Sequence, residues 1–155
     1  MSFAPSSPIT GAIVTGLTDP TFTLTADTPP NSNSKQYAIT ALGGTQTGVE
    51  AHSVAAPYTL TFERPKVLKV LGNLNPVTGA PSSISRNVYK LRTRKGVIPL
   101  SGQPYTTAMI TTIAEIPAGS DVADPESLMS MLSCHAGALA GESIGIGATY
   151  VSGVM

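Results

Sequence analysis

Through residue 116 the chain is written in short runs rich in Thr, Val, Ile and Tyr, cut by Gly, Pro, Asn and Asp; only afterwards does one helical stripe appear. Period-two alternation between turn residues marks strands, whereas apolar residues three and four apart mark a helix. A chain ordered this way predicts an α+β fold, an antiparallel sheet followed by a helix packed on one of its faces. The expected strands are 12–16, 21–26, 36–42, 58–64, 66–71, 86–95 and 105–116. Thr21-Phe22-Thr23-Leu24-Thr25 alternates strictly, as a half-buried antiparallel strand does. Turns are expected at 28–31, at Gly43-Gly44, at 72–73, at 75–81 and at 96–104. Residues 1–10, with three Ser and two Pro, read as an arm or loop.

The helix announces its own start. Asp124 offers a capping carboxylate, Pro125 suits the first helical position, and Glu126 places negative charge at the positive helix end. Leu128, Met131, Leu132, His135 and Leu139 then form one stripe, and the helix should stop near residues 137–141. Residues 144–155 are small and apolar, and their pattern fits a short helix or a strand. With no repeat and no linker, residues 1–155 read as one domain.

Charge is distributed very unevenly. Eight of the nine basic residues (Arg64, Lys66, Lys69, Arg86, Lys90, Arg92, Arg94 and Lys95) fall within 64–95, a window without an acid. Residues 1–63 hold one lysine against four acids, and residues 96–155 hold five acids and no base. Such a belt in a chain of zero net charge points to a polyanion, because Lys and Arg contacts to phosphate release condensed counterions. A basic, solvated strand pair offsetting acids elsewhere in the fold is the plainer alternative. Alternation in 86–95 puts Lys90, Arg92 and Arg94 on one face, with Tyr89, Leu91 and Thr93 on the other. In 105–116, Ala108, Ile110, Ala114 and Ile116 share a face suited to a helix, while Tyr105, Thr107, Met109 and Thr111 share the opposite one. A row of cations about 6.6 Å apart should therefore face away from the helix.

Only 12% of the residues are charged, against about 25% in ordinary domains. Few ions remain to keep a lone copy dispersed, so much of the surface is expected to be covered by other copies. The single cysteine, Cys134, excludes an intrachain disulfide and a cysteine-built zinc site. The first residues lack the basic and apolar regions of a signal peptide, and no stretch offers a membrane span. A soluble, unexported, self-associating chain is expected, with no cofactor, metal, small-molecule substrate or membrane partner.

Three patterns resemble chemistry without supplying it. Gly141-Glu142-Ser143-Ile144-Gly145 spells a nucleophile elbow, but that device needs a strand before it and an acid and a histidine after it. The ten residues beyond Gly145 contain neither, so Ser143 reads as part of a bend and no enzyme is expected. Cys134 and His135 are adjacent in a helix and point about 100° apart, which rules out a facing thiolate–imidazole pair. Gly43-Gly44 and Gly145-Ile146-Gly147 lack the Lys-Ser/Thr of a phosphate-binding loop.

Taken together, three stretches carry a family resemblance: Tyr58-Thr59-Leu60-Thr61-Phe62-Glu63-Arg64; the basic run Ser85-Arg86-Asn87-Val88-Tyr89-Lys90-Leu91-Arg92-Thr93-Arg94-Lys95; and the succession from Pro104-Tyr105 through Ile116-Pro117 and Asp121 to the capped helix. In order and spacing, over roughly the C-terminal two thirds, they resemble the coat proteins of single-stranded RNA bacteriophages (leviviruses). The resemblance implies an N-terminal β-hairpin, a five-stranded antiparallel sheet, two C-terminal helices, and an interlocked homodimer sharing a continuous sheet. It further implies a small icosahedral (T=3) virion shell, assembled in the bacterial cytoplasm, with the loop at 96–104 at its symmetry axes. The inner sheet face would bind genomic single-stranded RNA and a stem-loop whose capture represses translation. Carried over by position, Thr59 and Thr61 lie on that face with Lys90, Arg92 and Arg94, Tyr105 stacks on a base, and Thr107 hydrogen-bonds nearby. Lys66 and Arg86 of the basic belt complete the candidate set. Glu63 shares the face with Thr61, and Arg94 stands where some relatives carry an acid. The competing reading is a non-viral β-scaffold binding or fibre-type structural protein.

Overall fold

The computed structural model describes residues 2–155. Six antiparallel strands neighbour one another in space in the order of the chain: β1 (Ile9–Thr10), β2 (Thr18–Asp27), β3 (Ser34–Thr45), β4 (Tyr58–Glu63), β5 (Arg86–Val97) and β6 (Thr106–Pro117). Helices α1 (Ser120–Ala123), α2 (Pro125–Gly141) and α3 (Ser143–Ser152) follow. The architecture is α+β as expected, but it is one six-stranded sheet with three helices. The anticipated separate hairpin shrinks to the two-residue β1, which pairs with β2 as the edge of that same sheet.

Three expected elements differ, each for a local reason. Residues 12–16 form no strand; after the Gly11 N–H bonds the Pro20 carbonyl at 2.7 Å, the chain leaves the edge and turns with Gly16 at φ +90°. Residues 66–71 form none either. There the Asn87 side-chain amide does the work of a neighbouring strand, accepting from the Lys69 N–H at 2.8 Å and donating to the Lys69 carbonyl at 3.0 Å. Gly43-Gly44 lies inside β3 instead of ending it, at a shift in the β2–β3 register. Gly44 has φ +72° and backs onto the Thr18 and Asp19 carbonyls, where a Cβ has no room.

The register defines two unlike faces, because residues opposite one another in an antiparallel ladder project to the same side. One side carries the rows Ser34–Glu63–Lys90–Ile113, Gln36–Thr61–Arg92–Thr111 and Ala38–Thr59–Arg94–Met109. The other carries Lys35–Phe62–Leu91–Thr112 and Tyr37–Leu60–Thr93–Ile110. The N-terminal segment covers part of this second face: the Phe3 ring stacks on Phe62 at 4.8 Å and meets Tyr37 edge-on at 6.0 Å.

Helix α2 begins as its sequence predicts, with Pro125 in the first turn and the Asp124 carboxylate accepting from the Ser127 N–H at 3.3 Å. Its placement departs from expectation. It neighbours α1 and α3 and approaches no strand, since the chain turns at Gly119 (φ +91°) and leaves the sheet through α1. Consequently no α2 residue is buried, Leu132 is 61% exposed, and His135, a member of the apolar stripe, lies in the open. The ambiguous tail is helical, and Ser143 opens α3 while donating to the Ile13 carbonyl at 2.5 Å. No strand precedes it, so the elbow pattern has none of its geometry.

Among the described residues, the buried apolar side chains are few and small, Pro20, Ala38, Ile39, Ala56 and Ala118; Gln36, Thr59, Thr61 and Asn87 are the buried polar ones. No described helix is long and apolar enough to cross a membrane.

Candidate nucleic-acid interface

Strand β5 delivers the cations and β4 supplies the surface they rest on. Lys90, Arg92 and Arg94 stand opposite Glu63, Thr61 and Thr59, so the expected row exists and is flanked by two threonines and one carboxylate. All three cations are half-buried. With the β2–β3 hairpin tip at Pro30 and Asn31, they line a concavity of about 100 Å³ that Thr61 and Glu63 also border.

The hydrogen bonds within it are specific. Gln36, on β3, donates through Nε2 to the Asp27 carboxylate at 2.6 Å, and its Oε1 accepts from the Thr61 hydroxyl at 2.9 Å and from Arg94 Nη2 at 3.3 Å. Arg94 Nε donates to the Thr59 hydroxyl at 3.2 Å. Hydrogen bonding from the Gln36 side chain, then from the Thr28 N–H at 2.7 Å, holds the Asp27 carboxyl below the ordinary carboxylate value. Arg92 Nε is shielded from solvent without a partner, a state that costs roughly 1–3 kcal/mol until something accepts its proton.

The remaining candidates scatter. Thr59 and Thr61 share the face but are 2% and 6% exposed, their hydroxyls already engaged under Arg94 and Gln36. Thr107, opposite Gly96, is exposed on the same side. Arg86 is paired with Glu115 at 3.4 Å, and Lys66 sits in the connection between β4 and β5. Tyr105 is drawn elsewhere. Pairing of β5 with β6 ends at Val97–Thr106, so strand alternation no longer dictates where Tyr105 points. It lines a separate concavity of about 430 Å³ with Phe22, Glu50, Tyr58 and Lys95, and hydrogen bonding to Glu50 raises its phenol above the ordinary value. Lys95 is committed there, donating to the Glu50 carbonyl at 2.6 Å and lying 4.7 Å from the Tyr58 ring centre. Burial pushes its ammonium value down and the Tyr58 phenol up.

Sequence reasoning missed Gln36. It stood at the start of a strand with no pattern to single it out, because its partners lie 9, 25 and 58 residues away. Among the described residues, no group of His, Cys, Asp and Glu is arranged to hold a metal ion.

Among solved structures, the chain matches a virus-like particle of bacteriophage ESE020 with 45% identity and a TM-score of 0.95, over 99% of this chain and 100% of that one. The chain belongs to that phage capsid-protein family. A comparison with protein-family models finds no match, and one with curated proteins finds none of significance. As a capsid protein, the chain has a structural role. That role suits a molecule whose helices and one sheet face lie bare in a single copy, because contacts between subunits cover such surfaces.

Proposed function

We propose that this capsid protein is the coat subunit of a single-stranded RNA phage of the levivirus type. One coat domain, residues 1–155, pairs with a second copy and builds a small icosahedral shell. The Lys90–Arg92–Arg94 face holds genomic RNA, including a stem-loop whose binding represses translation. The observation that carries the RNA assignment is the row along β5 itself, three half-buried cations on alternate residues with a shielded Arg92 Nε still lacking an acceptor. Phosphate oxygens supply such acceptors, and RNA supplies them in series.

Pairing is supported by the two surfaces a single copy leaves unfinished. Strand β6 is a twelve-residue edge, and such an edge invites another strand unless it is covered. Two β6 edges meeting across a twofold axis would make one sheet of both copies. Each α2, which approaches no strand of its own chain, would then lie over the partner's Leu91 and Ile110 side.

Expression in bacteria should yield hollow particles by negative-stain microscopy that protect RNA from nuclease. Replacing Lys90, Arg92 and Arg94 together by Ala should leave particles intact, empty them of most RNA, and flatten the log–log salt dependence of RNA binding by about 2, from a coefficient near 0.7 per phosphate on single strands. Full RNA content and an unchanged salt slope in that variant would refute the assignment of this face.

A further inference from the structure

We infer that Gln36, held by Asp27, is a positioning residue that presents Arg94 to one phosphate of single-stranded RNA; the inference rests on the RNA reading of this face. Three steps lead to it. The Asp27 carboxylate only accepts hydrogen bonds, so the Gln36 amide must turn its NH2 toward Asp27, which leaves its carbonyl oxygen facing Arg94 at 3.3 Å. The Arg94 guanidinium then has its side-on fork occupied, Nε by Thr59 and one Nη2 hydrogen by Gln36. What remains free is the end-on fork, Nη1 with the second Nη2 hydrogen, the geometry that grips two phosphate oxygens at once.

No carboxylate competes for that fork, since the only ion pair among the described residues joins Arg86 to Glu115. The bonds span four strands: Asp27 on β2 holds Gln36 on β3, the Gln36 oxygen accepts from Thr61 on β4 and from Arg94 on β5, and Arg94 also donates to Thr59 on β4. A long, flexible side chain is thereby ordered before RNA arrives, so that binding loses less conformational freedom.

The test is fluorescence anisotropy of a labelled oligouridylate with the full-length chain over a salt series. Arg94→Ala should flatten the log–log slope by about 0.7, the loss of one phosphate contact. Gln36→Ala should weaken binding about threefold to tenfold while leaving the slope unchanged, because the cation remains but must be ordered on binding. Thr59→Val, nearly isosteric, should do the same; Thr59→Ser, which keeps the hydroxyl, should restore parental binding. In the Arg94→Ala background, Gln36→Ala should have no further effect. An unchanged slope in Arg94→Ala would sink the RNA reading together with this inference. A flattened slope there, with parental affinity in both Gln36→Ala and Thr59→Val, would overturn the positioning role alone, as would further weakening by Gln36→Ala without Arg94. If Gln36→Ala does not fold, the Thr59 pair decides.

Discussion

Thr59 and Leu91 sit on adjacent strands and contradict the usual sorting of residues. The polar Thr59 is 2% exposed on one side of the sheet, while the apolar Leu91 is 37% exposed on the other. On the first side, Arg94 and Gln36 lie across the threonines and satisfy their hydroxyls, so a single chain closes that patch, although Met109 and Ile113 at its β6 margin stay 55% exposed. On the second, Phe3 covers only the Phe62–Tyr37 corner, and Ile110 stays 54% exposed. Polar groups can be closed off locally because each needs only one or two well-placed partners. Apolar area needs a whole opposing surface, which in the arrangement proposed above comes from another copy.

The contrast is easiest to break on the apolar side. Leu132→Asp puts a charge where α2 is expected to meet a second copy, forfeiting about 1.5–3 kcal/mol of side-chain burial per subunit and adding an unpaired ion. Size-exclusion chromatography and microscopy should show particles lost, with the circular dichroism of the chain retained; particles that form normally would mean this side is not an interface. A smaller effect is expected at Gly96, two residues beyond Arg94 on the cationic side. A Cβ there would lie 2.8 Å from Ala56 Cα, in a strand position whose N–H is already tied to the Pro57 carbonyl at 2.6 Å. Gly96→Ala should cost about 1–3 kcal/mol in denaturant unfolding, as overpacking does, and an unchanged midpoint would show that this region yields easily.

The smallest effect concerns Asp27. Its carboxyl is held below the ordinary value, so its contribution is complete above the ordinary carboxylate range, near pH 4, and disappears as pH falls through the lowered folded value. Asp27→Asn should therefore be less stable than the parent at neutral pH, with the gap closing in acid. A gap independent of pH would show that the carboxylate's charge is not what the Gln36 amide responds to.

What could be read before folding was whatever a short window of chain encodes. Alternation placed Lys90, Arg92 and Arg94 together, and Asp124-Pro125 placed the start of α2. What could not be read depended on distant partners. The stretch at 66–71 has strand-like composition, but the Asn87 side chain supplies its backbone partners instead of a neighbouring strand. Tyr105 followed the alternation of β6 on paper and escaped it because the ladder begins only one residue later, at Thr106. The helix stripe was correctly seen as apolar, yet its spacing does not say that α2 stays clear of its own sheet.

The order of the sheet, each strand beside its sequence neighbour, also sets a timetable for synthesis. As the polypeptide emerges, every new strand from β2 onward finds its mate already made, so pairing can proceed like a zip without waiting for remote residues. The long β6 edge and the helices leave the ribosome after the other strands. The first five strands thus pair before β6 and the helices are present, and the surfaces proposed to join copies appear only once a sheet is there to carry them.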